Sequence, residues 1–178
     1  RNLELVRSLH GGDKKDSVLG VIDYTRTALG GRLLKSWIEK PLLDKAEIQK
    51  RLDSTEELVN NTTLRLQLKD ELEPVYDLER IVSRITYGTA NAKDLLALKH
   101  SLEHLPKVEA LLQLGKTDYI MQLSDSFDTL RDIYELLEQA IHLDAPFSVR
   151  EGNLIRTGFH EEVDALRDIM QNGKQWIV

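Results

Sequence analysis

The chain has 178 residues, of which 41% are hydrophobic and 30% are charged, and its formal net charge at pH 7 is −6. This length and composition predict one domain, or one domain with an extension. The sequence has no cysteine, which excludes a disulfide scaffold, a thiol nucleophile and Cys-ligated zinc. No apolar run reaches the roughly 18 residues of a membrane span, and no signal-peptide pattern opens the chain, so we expect a soluble cytoplasmic protein.

The charge is unevenly distributed along the chain. Residues 1–51 contain 11 basic and 7 acidic residues, a net charge of +4, whereas residues 52–178 contain 13 and 23, a net charge of −10. Phosphate binding needs clustered cations. The acidic part is therefore not expected to bind DNA by charge alone, and the small basic excess near the N-terminus is best interpreted as ordinary solvated surface.

Two regions have the apolar and β-branched pattern of short strands. Leu3 and Leu5 alternate with polar residues, and residues 18–22 form an apolar run after a glycine-rich loop. Residues 147–156 form a second extended pattern around a tight turn. We therefore expect a small β element, built from the N-terminal strands and the 147–156 hairpin, beside the helices.

Most of the remaining sequence has the 3.6-residue period of helices. The first helix runs from Thr25 to Lys40 and contains Gly30 and Gly31, which together cost about 2 kcal/mol relative to alanine. Such a cost indicates close backbone packing. Pro41 ends this helix.

Further helices follow in succession up to Ile141. Asp44 is the expected N-cap of the next one, with Glu47 three residues on. Asn91 caps another, and Pro106 is expected to open a short helix closed by Gly115. The predicted fold class is therefore mainly α, a compact multi-helix array with a small β element.

The C-terminal segment has a different pattern. Its apolar positions are spaced by three and four residues, which is the heptad spacing of a helix that lies along a partner helix. These positions are Val163, Leu166, Met170, Gly173 and Ile177. The pattern still continues at Ile177, so we expect the natural polypeptide to extend further.

One metal-binding motif occurs in the sequence. His100, Glu103 and His104 fit the H-x-x-E-H pattern of a zinc hydrolase. On the predicted helix both histidines lie opposite the leucine stripe and face solvent, and no third ligand is evident, so we interpret the match as chance. The sequence contains no phosphate-binding glycine loop and no nucleophile elbow. We therefore nominate no catalytic, cofactor-binding or metal-binding residue.

An ordered series of short segments resembles a known family. The segments are Arg-Asn-Leu-Glu-Leu at 1–5, Thr-Ala-Leu-Gly-Gly-Arg-Leu-Leu at 27–34, Trp-Ile at 37–38, Pro-Leu at 41–42, Arg-Leu-Asp at 51–53, Asp-Leu-Glu-Arg at 77–80, Ala-Asn at 90–91, Arg-Glu-Gly at 150–152 and Gly-Phe at 158–159. In this order they are similar to the core region of the bacterial MutS mismatch-repair ATPases. Leu29 and Ala92 depart from that pattern, where Met and Pro are common.

The resemblance implies a division into two parts. Residues 1–158 correspond to the core domain and residues 159–178 to the start of the first lever helix, with the spaced apolar positions as the lever seam. The residues that carry the structural signature of the core are Gly30, Gly31, Arg32, Pro41, Arg150, Glu151 and Gly152.

The resemblance also implies a role. The segment would be a structural relay that couples mismatched-DNA binding to ATP binding and hydrolysis in a homodimeric parent protein. It would not itself be an enzyme, and ATP and Mg would be bound elsewhere in the parent. The resemblance does not identify which core residues touch DNA. An independent helical protein-interaction module without a DNA role is the alternative.

Overall fold

The computed structural model describes residues 4–8 and 15–173. Two compact units divide the chain, the first formed by residues 1–80 and 100–129 and the second by residues 81–99 and 130–178. The described part is mainly helical, which confirms the predicted class. No helix in that part is long and apolar enough to cross a membrane.

Nine α-helices and one 3-10 turn make up the regular structure of the described residues. In chain order they are α1 (Val18–Ile22), α2 (Ala28–Glu39), α3 (Lys45–Asn60), α4 (Thr62–Leu72), α5 (Leu78–Thr86), α6 (Ala92–Leu112), α7 (Asp118–Asp125), α8 (Arg131–Ala140), the 3-10 turn Val149–Glu151 and α9 (Glu161–Asn172). Helices α1 to α4 and α7 belong to the first unit, and α8 and α9 belong to the second.

The predicted strand at residues 18–22 is wrong, because this run forms helix α1. The N–H groups of its first turn have acceptors. The Ser17 hydroxyl accepts from Gly20 N at 3.2 Å. The carbonyl oxygens of Glu4 and Leu5 accept from the amides of residues 18 and 19 at 3.1 and 2.9 Å. A five-residue apolar run fits either structure, and satisfied first-turn donors favour the helix. Of the other predicted strand, Leu5 lies in a bend and Leu3 lies outside the described residues.

The predicted hairpin at 147–156 is also wrong. Ser148 and Glu151 form a reciprocal capping box around the 3-10 turn, so the local backbone donors are used there. Within the described residues the β pairing is a single antiparallel bridge, from Ile155 to Ile141 immediately after α8. The predicted small sheet is therefore not present in this part of the chain.

Both predicted N-caps are confirmed. The Asp44 carboxylate accepts from the amides of Ala46 and Glu47 at 2.7 and 3.2 Å. Asn91 and Asp94 form a complete reciprocal pair at the start of α6, with Asp94 N donating to Asn91 Oδ1 at 3.0 Å and Asn91 N donating to Asp94 Oδ2 at 2.9 Å. These caps satisfy orphan donors of the first turn.

Pro106 does not open a new helix. It lies inside α6, which has 21 residues and merges the two helices that we predicted around this proline. The sequence analysis also missed α7, an eight-residue helix after Gly115. A proline costs the helix one backbone hydrogen bond, and the buried residues on both sides of Pro106 show that packing outweighs this cost.

The buried apolar residues form a core in each unit. Of the leucine stripe predicted on α6, which comprises Leu95, Leu98, Leu102 and Leu105, the last three are buried and Leu95 is half-buried. Helix α2, in contrast, has no buried residue. In the first unit the core residues are Leu19, Leu64, Val75, Leu102, Leu105, Val108 and Ile120, and in the second Ile81, Ala92, Leu98, Leu137, Ala140, Ile141 and Ala145.

A hydrogen-bonded carboxylate joins α3 to the start of α7. Glu57 accepts from Lys116 N at 2.8 Å, from Thr117 N at 2.9 Å and from the Thr117 hydroxyl at 2.7 Å. Burial raises the pKa of the Glu57 carboxyl, but the hydrogen bonds from the Thr117 hydroxyl and the two amides outweigh it, so the pKa lies below its ordinary value. Glu57 is therefore a stabilising contact in its ionised form.

We expect Glu57→Gln to lower the free energy of unfolding by about 1–3 kcal/mol, because hydrogen bonds to a charged group are lost. The folded-state pKa is depressed, so the contribution is fully present above the ordinary glutamate pKa and is lost as the pH falls through the folded-state value. Urea unfolding at several pH values measures this, with the exposed neighbour Glu56→Gln as control. An effect equal to that of the control, or one that grows on acidification, would contradict the assignment.

Gly115 permits a close approach between the end of α6 and α7. A Cβ atom at Gly115 would lie 2.2 Å from Ile120 Cγ2 and 3.1 Å from the Leu112 carbonyl oxygen. Ile120 is only 4% exposed. The neighbouring side chain is therefore held in the core and has little room to move away.

We expect Gly115→Ala to destabilise the first unit by about 1–3 kcal/mol through overpacking. Gly173→Ala is the matched control, because a Cβ there meets nothing within 4 Å. Thermal unfolding of the two variants measures the difference. An unchanged melting temperature for Gly115→Ala would show that α7 is not packed tightly at this point.

Candidate functional site

The H-x-x-E-H residues form a structural contact. His104 Nδ1 lies 2.8 Å from Glu71 Oε2, and the His104 side chain is only 18% exposed, so the prediction that it faces solvent is wrong. His100 is 49% exposed beside Glu103, at 3.5 Å. The hydrogen bond from His104 lowers the pKa of the Glu71 carboxyl. Within the described residues no group of three His, Asp or Glu side chains is arranged to hold a metal ion.

Arg32 links α2 to the start of α5. Its guanidinium forms two hydrogen bonds to Asp77, with Nη2–Oδ1 at 2.7 Å and Nη1–Oδ2 at 3.0 Å. Its Nε lies 2.7 Å from Glu79 Oε2. The hydrogen bond from Arg32 is the main cause that lowers the pKa of Asp77, and Arg80 N also donates to Asp77. Asp77 and Glu79 therefore pair with α2.

The two helix glycines approach the segment that precedes α2. A Cβ at Gly30 would lie 3.1 Å from Thr27 Oγ1, and one at Gly31 would lie 3.3 Å from Thr25 Oγ1. Pro41 is exposed and follows the end of α2. The close contacts at these glycines are therefore with the segment that leads into α2.

The Arg-Glu-Gly signature lies at the 3-10 turn. Arg150 and Glu151 are both exposed, and Glu151 accepts from Ser148 N at 3.3 Å. Gly152 has φ +72°, a conformation that favours glycine. These residues shape the turn between α8 and the bridge residue Ile155.

Two ion-pair clusters lie within the second unit. Arg84 Nη1 bonds Asp94 Oδ1 at 2.9 Å and so joins α5 to the cap of α6. Glu138 on α8 pairs with Lys99 and lies 3.4 Å from an Arg156 guanidinium nitrogen. The hydrogen bond from Lys99 lowers the pKa of the Glu138 carboxyl. The sequence analysis missed this second cluster, because its members are far apart in the chain.

Helix α9 exposes two of the four described positions of the predicted lever seam. Leu166 is 61% exposed and Met170 is 78% exposed, and Ile169 beside them is 66% exposed. Val163 is half-buried. Gly173 lies at the end of the helix and is partly exposed, and Ile177 lies outside the described residues. None of the described side chains of α9 is fully buried.

The attachment of α9 to the second unit is largely polar. Asp164 Oδ2 accepts from Gly158 N at 2.6 Å, and Arg167 Nη2 donates to the Ile155 carbonyl oxygen at 2.6 Å. The two side chains also pair with each other at 3.2 Å. An Asp-x-x-Arg spacing is visible in the sequence, but its backbone partners are not. Helix α9 therefore combines an exposed apolar face with a hydrogen-bonded polar one.

The comparisons with known proteins match one family over nearly the whole chain. The family model for MutS domain III matches residues 1–175. The DNA mismatch repair protein MutS of Caldicellulosiruptor bescii is 47% identical over 178 residues, which is 100% of this chain and 21% of that protein. The proteins of the same name from Pelotomaculum thermopropionicum and Desulfitobacterium hafniense are each 48% identical over 99% of this chain, and the match covers 21% and 20% of their lengths.

The chain spans about a fifth of the length of these curated relatives. The match is continuous across both units, and it includes the glycine pair of α2, the turn at residues 150–152 and helix α9. The chain therefore belongs to the MutS domain III family.

Proposed function

We propose that this segment is the core and first-lever relay of a longer DNA mismatch repair protein. In that protein it couples the binding of mismatched DNA to the binding and hydrolysis of ATP at a site in another domain, which holds ATP and Mg. The parent protein acts as a homodimer. The segment itself performs no catalysis. The observation that carries the proposal is the exposed apolar seam of α9, in a chain whose much longer relatives are named DNA mismatch repair protein MutS.

The seam supports a docked lever, because its apolar side chains are costly to leave in water. Burial of a side chain such as Leu166 or Met170 contributes roughly 1.5–3 kcal/mol. A helix of 12 residues is too short to be stable in isolation. A partner helix from the remaining four-fifths of the parent would bury the seam and stabilise α9 at the same time.

The charge distribution supports a relay rather than a direct reader of DNA. Residues 52–178 carry a net charge of −10, and contact with many phosphates requires clustered cations. Several of the basic residues are already paired with carboxylates, as Arg84 is with Asp94 and Arg156 is with Glu138. The principal DNA contacts are therefore assigned to other parts of the parent.

We expect the isolated chain to bind no ATP and to show no preference for mismatched over matched duplex at about 150 mM salt, a physiological ionic strength. The longer parent protein should bind ATP and should prefer the mismatched duplex. Calorimetry with ATP and magnesium, and fluorescence anisotropy with two duplexes that differ by one mispair, measure these properties. A clear mismatch preference in the isolated chain, or its absence from the parent, would contradict the proposal.

We expect Leu166→Glu in the parent to reduce the stimulation of ATP hydrolysis by mismatched DNA, because a charge replaces an apolar contact with the partner helix. Asp168→Asn, at an exposed position on the opposite side of the same helix from Leu166, is the matched control. Steady-state ATP hydrolysis with and without mismatched duplex measures the response. If Leu166→Glu responds to the mismatch as the control does, the seam is not a docking face for the relay.

A further inference from the structure

The half-buried side chains of α9 are unusual in their composition. Within residues 161–170 they are Val163, Asp164 and Arg167, so two of the three are charged. Asp164 and Arg167 each have a side chain that is 25% exposed. Apolar packing is non-directional, whereas hydrogen bonds weaken steeply when they are misaligned. The direction of α9 is therefore set mainly by this Asp164–Arg167 pair.

The pair holds one short backbone segment at two points. Asp164 accepts from Gly158 N, and Arg167 donates to the Ile155 carbonyl oxygen, with both distances at 2.6 Å. Gly158 has φ +88°, a conformation that allows its amide to face the carboxylate at little steric cost. Both bonds include an ionised side chain, and such bonds are about twice as strong as neutral ones.

The same backbone segment is joined to α8. Ile155 forms the antiparallel bridge with Ile141, the residue that caps α8. Arg156 N donates to the Ala140 carbonyl oxygen at 2.8 Å, and its Nε donates to the Ile141 carbonyl oxygen at 2.9 Å. A tilt of α9 would therefore strain a continuous series of directional bonds that ends on α8.

We propose that Asp164 and Arg167 are positioning residues that transmit the movement of the lever helix α9 to α8 through residues 155–158. This inference rests on the proposed relay function and adds the residues at which the lever is joined to the core. The pair acts through its hydrogen bonds to the backbone of residues 155 and 158. Its contribution is to make the lever and α8 move together, so its loss uncouples the two activities of the parent and leaves each one intact.

The test uses the full-length parent protein with Arg167→Gln and, separately, Asp164→Asn. We expect the mismatch-dependent stimulation of ATP hydrolysis to fall by about twofold to thirtyfold, the range over which single residues modulate coupling. The basal ATPase rate and the Kd for mismatched duplex should stay at the control values, and the melting temperature should fall only slightly, because charge-assisted hydrogen bonds are lost. Arg167→Lys keeps the charge but loses the planar set of N–H donors of the guanidinium. Its stimulation of ATP hydrolysis by mismatched DNA should therefore lie between that of the wild type and that of Arg167→Gln.

Arg131→Gln is the matched control, because Arg131 forms an exposed pair within α8, with a side chain that is 81% exposed. Hydrogen exchange at the Gly158 amide reports whether the bond to Asp164 has been lost. The inference is overturned if a variant's Gly158 amide exchanges faster while mismatched DNA still stimulates its ATP hydrolysis fully. A parallel fall in basal rate, melting temperature and response also overturns it, because the pair would then be only structural.

Two further outcomes separate this inference from the proposed function. A wild-type parent without any mismatch response contradicts the proposed function itself. A responding wild type whose response survives both substitutions contradicts the role of the pair alone. If Arg167→Gln does not fold, Asp164→Asn, which keeps the shape of the side chain, decides the question by the same measurements.

Discussion

The N–H groups at the start of each helix are the constraint on which much of this structure depends. An α-helix leaves its first four amides without partners, and helices of 5 to 12 residues, such as α1, α2 and α9, have few internal bonds to compensate. At α1 to α4 the chain satisfies such amides with a side chain that precedes the helix, whereas α7, α8 and α9 have no side-chain cap of this kind. Ser17, Thr27, Asp44 and Asn61 each accept from an amide of the turn that follows. Each cap contributes about 1 kcal/mol, which is a large fraction of the stability of a short helix.

The same chemistry also joins elements that are far apart in the sequence. Glu57 on α3 satisfies amides at the start of α7, and Arg32 on α2 binds the aspartate that precedes α5. Asp164 satisfies the amide of Gly158 in the segment that leads into α9. These charged side chains stabilise a helix end and fix the direction of a neighbour at once, because their bonds are directional. Apolar burial then supplies most of the free energy of folding, but it does not fix the angles between these elements.

The sequence predicted the features whose causes are local. Asp44 and Asn91 lie within three residues of the amides that they cap, so their spacing alone identified two helix starts. The prediction of a strand at residues 18–22 was wrong because two acceptors that favour a helix there come from Glu4 and Leu5, well before α1 in the sequence. Glu57 and Thr117 are 60 residues apart, and no periodicity connects them. The seam of α9 was visible as heptad spacing, whereas the backbone partners of Asp164 and Arg167 were not.

A helix that relays movement needs two kinds of surface, and α9 has both. Toward residues 155–158 it presents an ion pair with hydrogen bonds of defined direction, and elsewhere it exposes Leu166, Ile169 and Met170. An apolar face can slide over a partner at little cost because van der Waals attraction is the sum of many small contacts. A charge-assisted bond cannot slide in this way, since it is lost once its donor and acceptor are misaligned. In the proposed relay, the division of α9 into a polar joint on one face and an apolar seam on another would allow the seam to adapt to a partner while the joint keeps a fixed relation to α8.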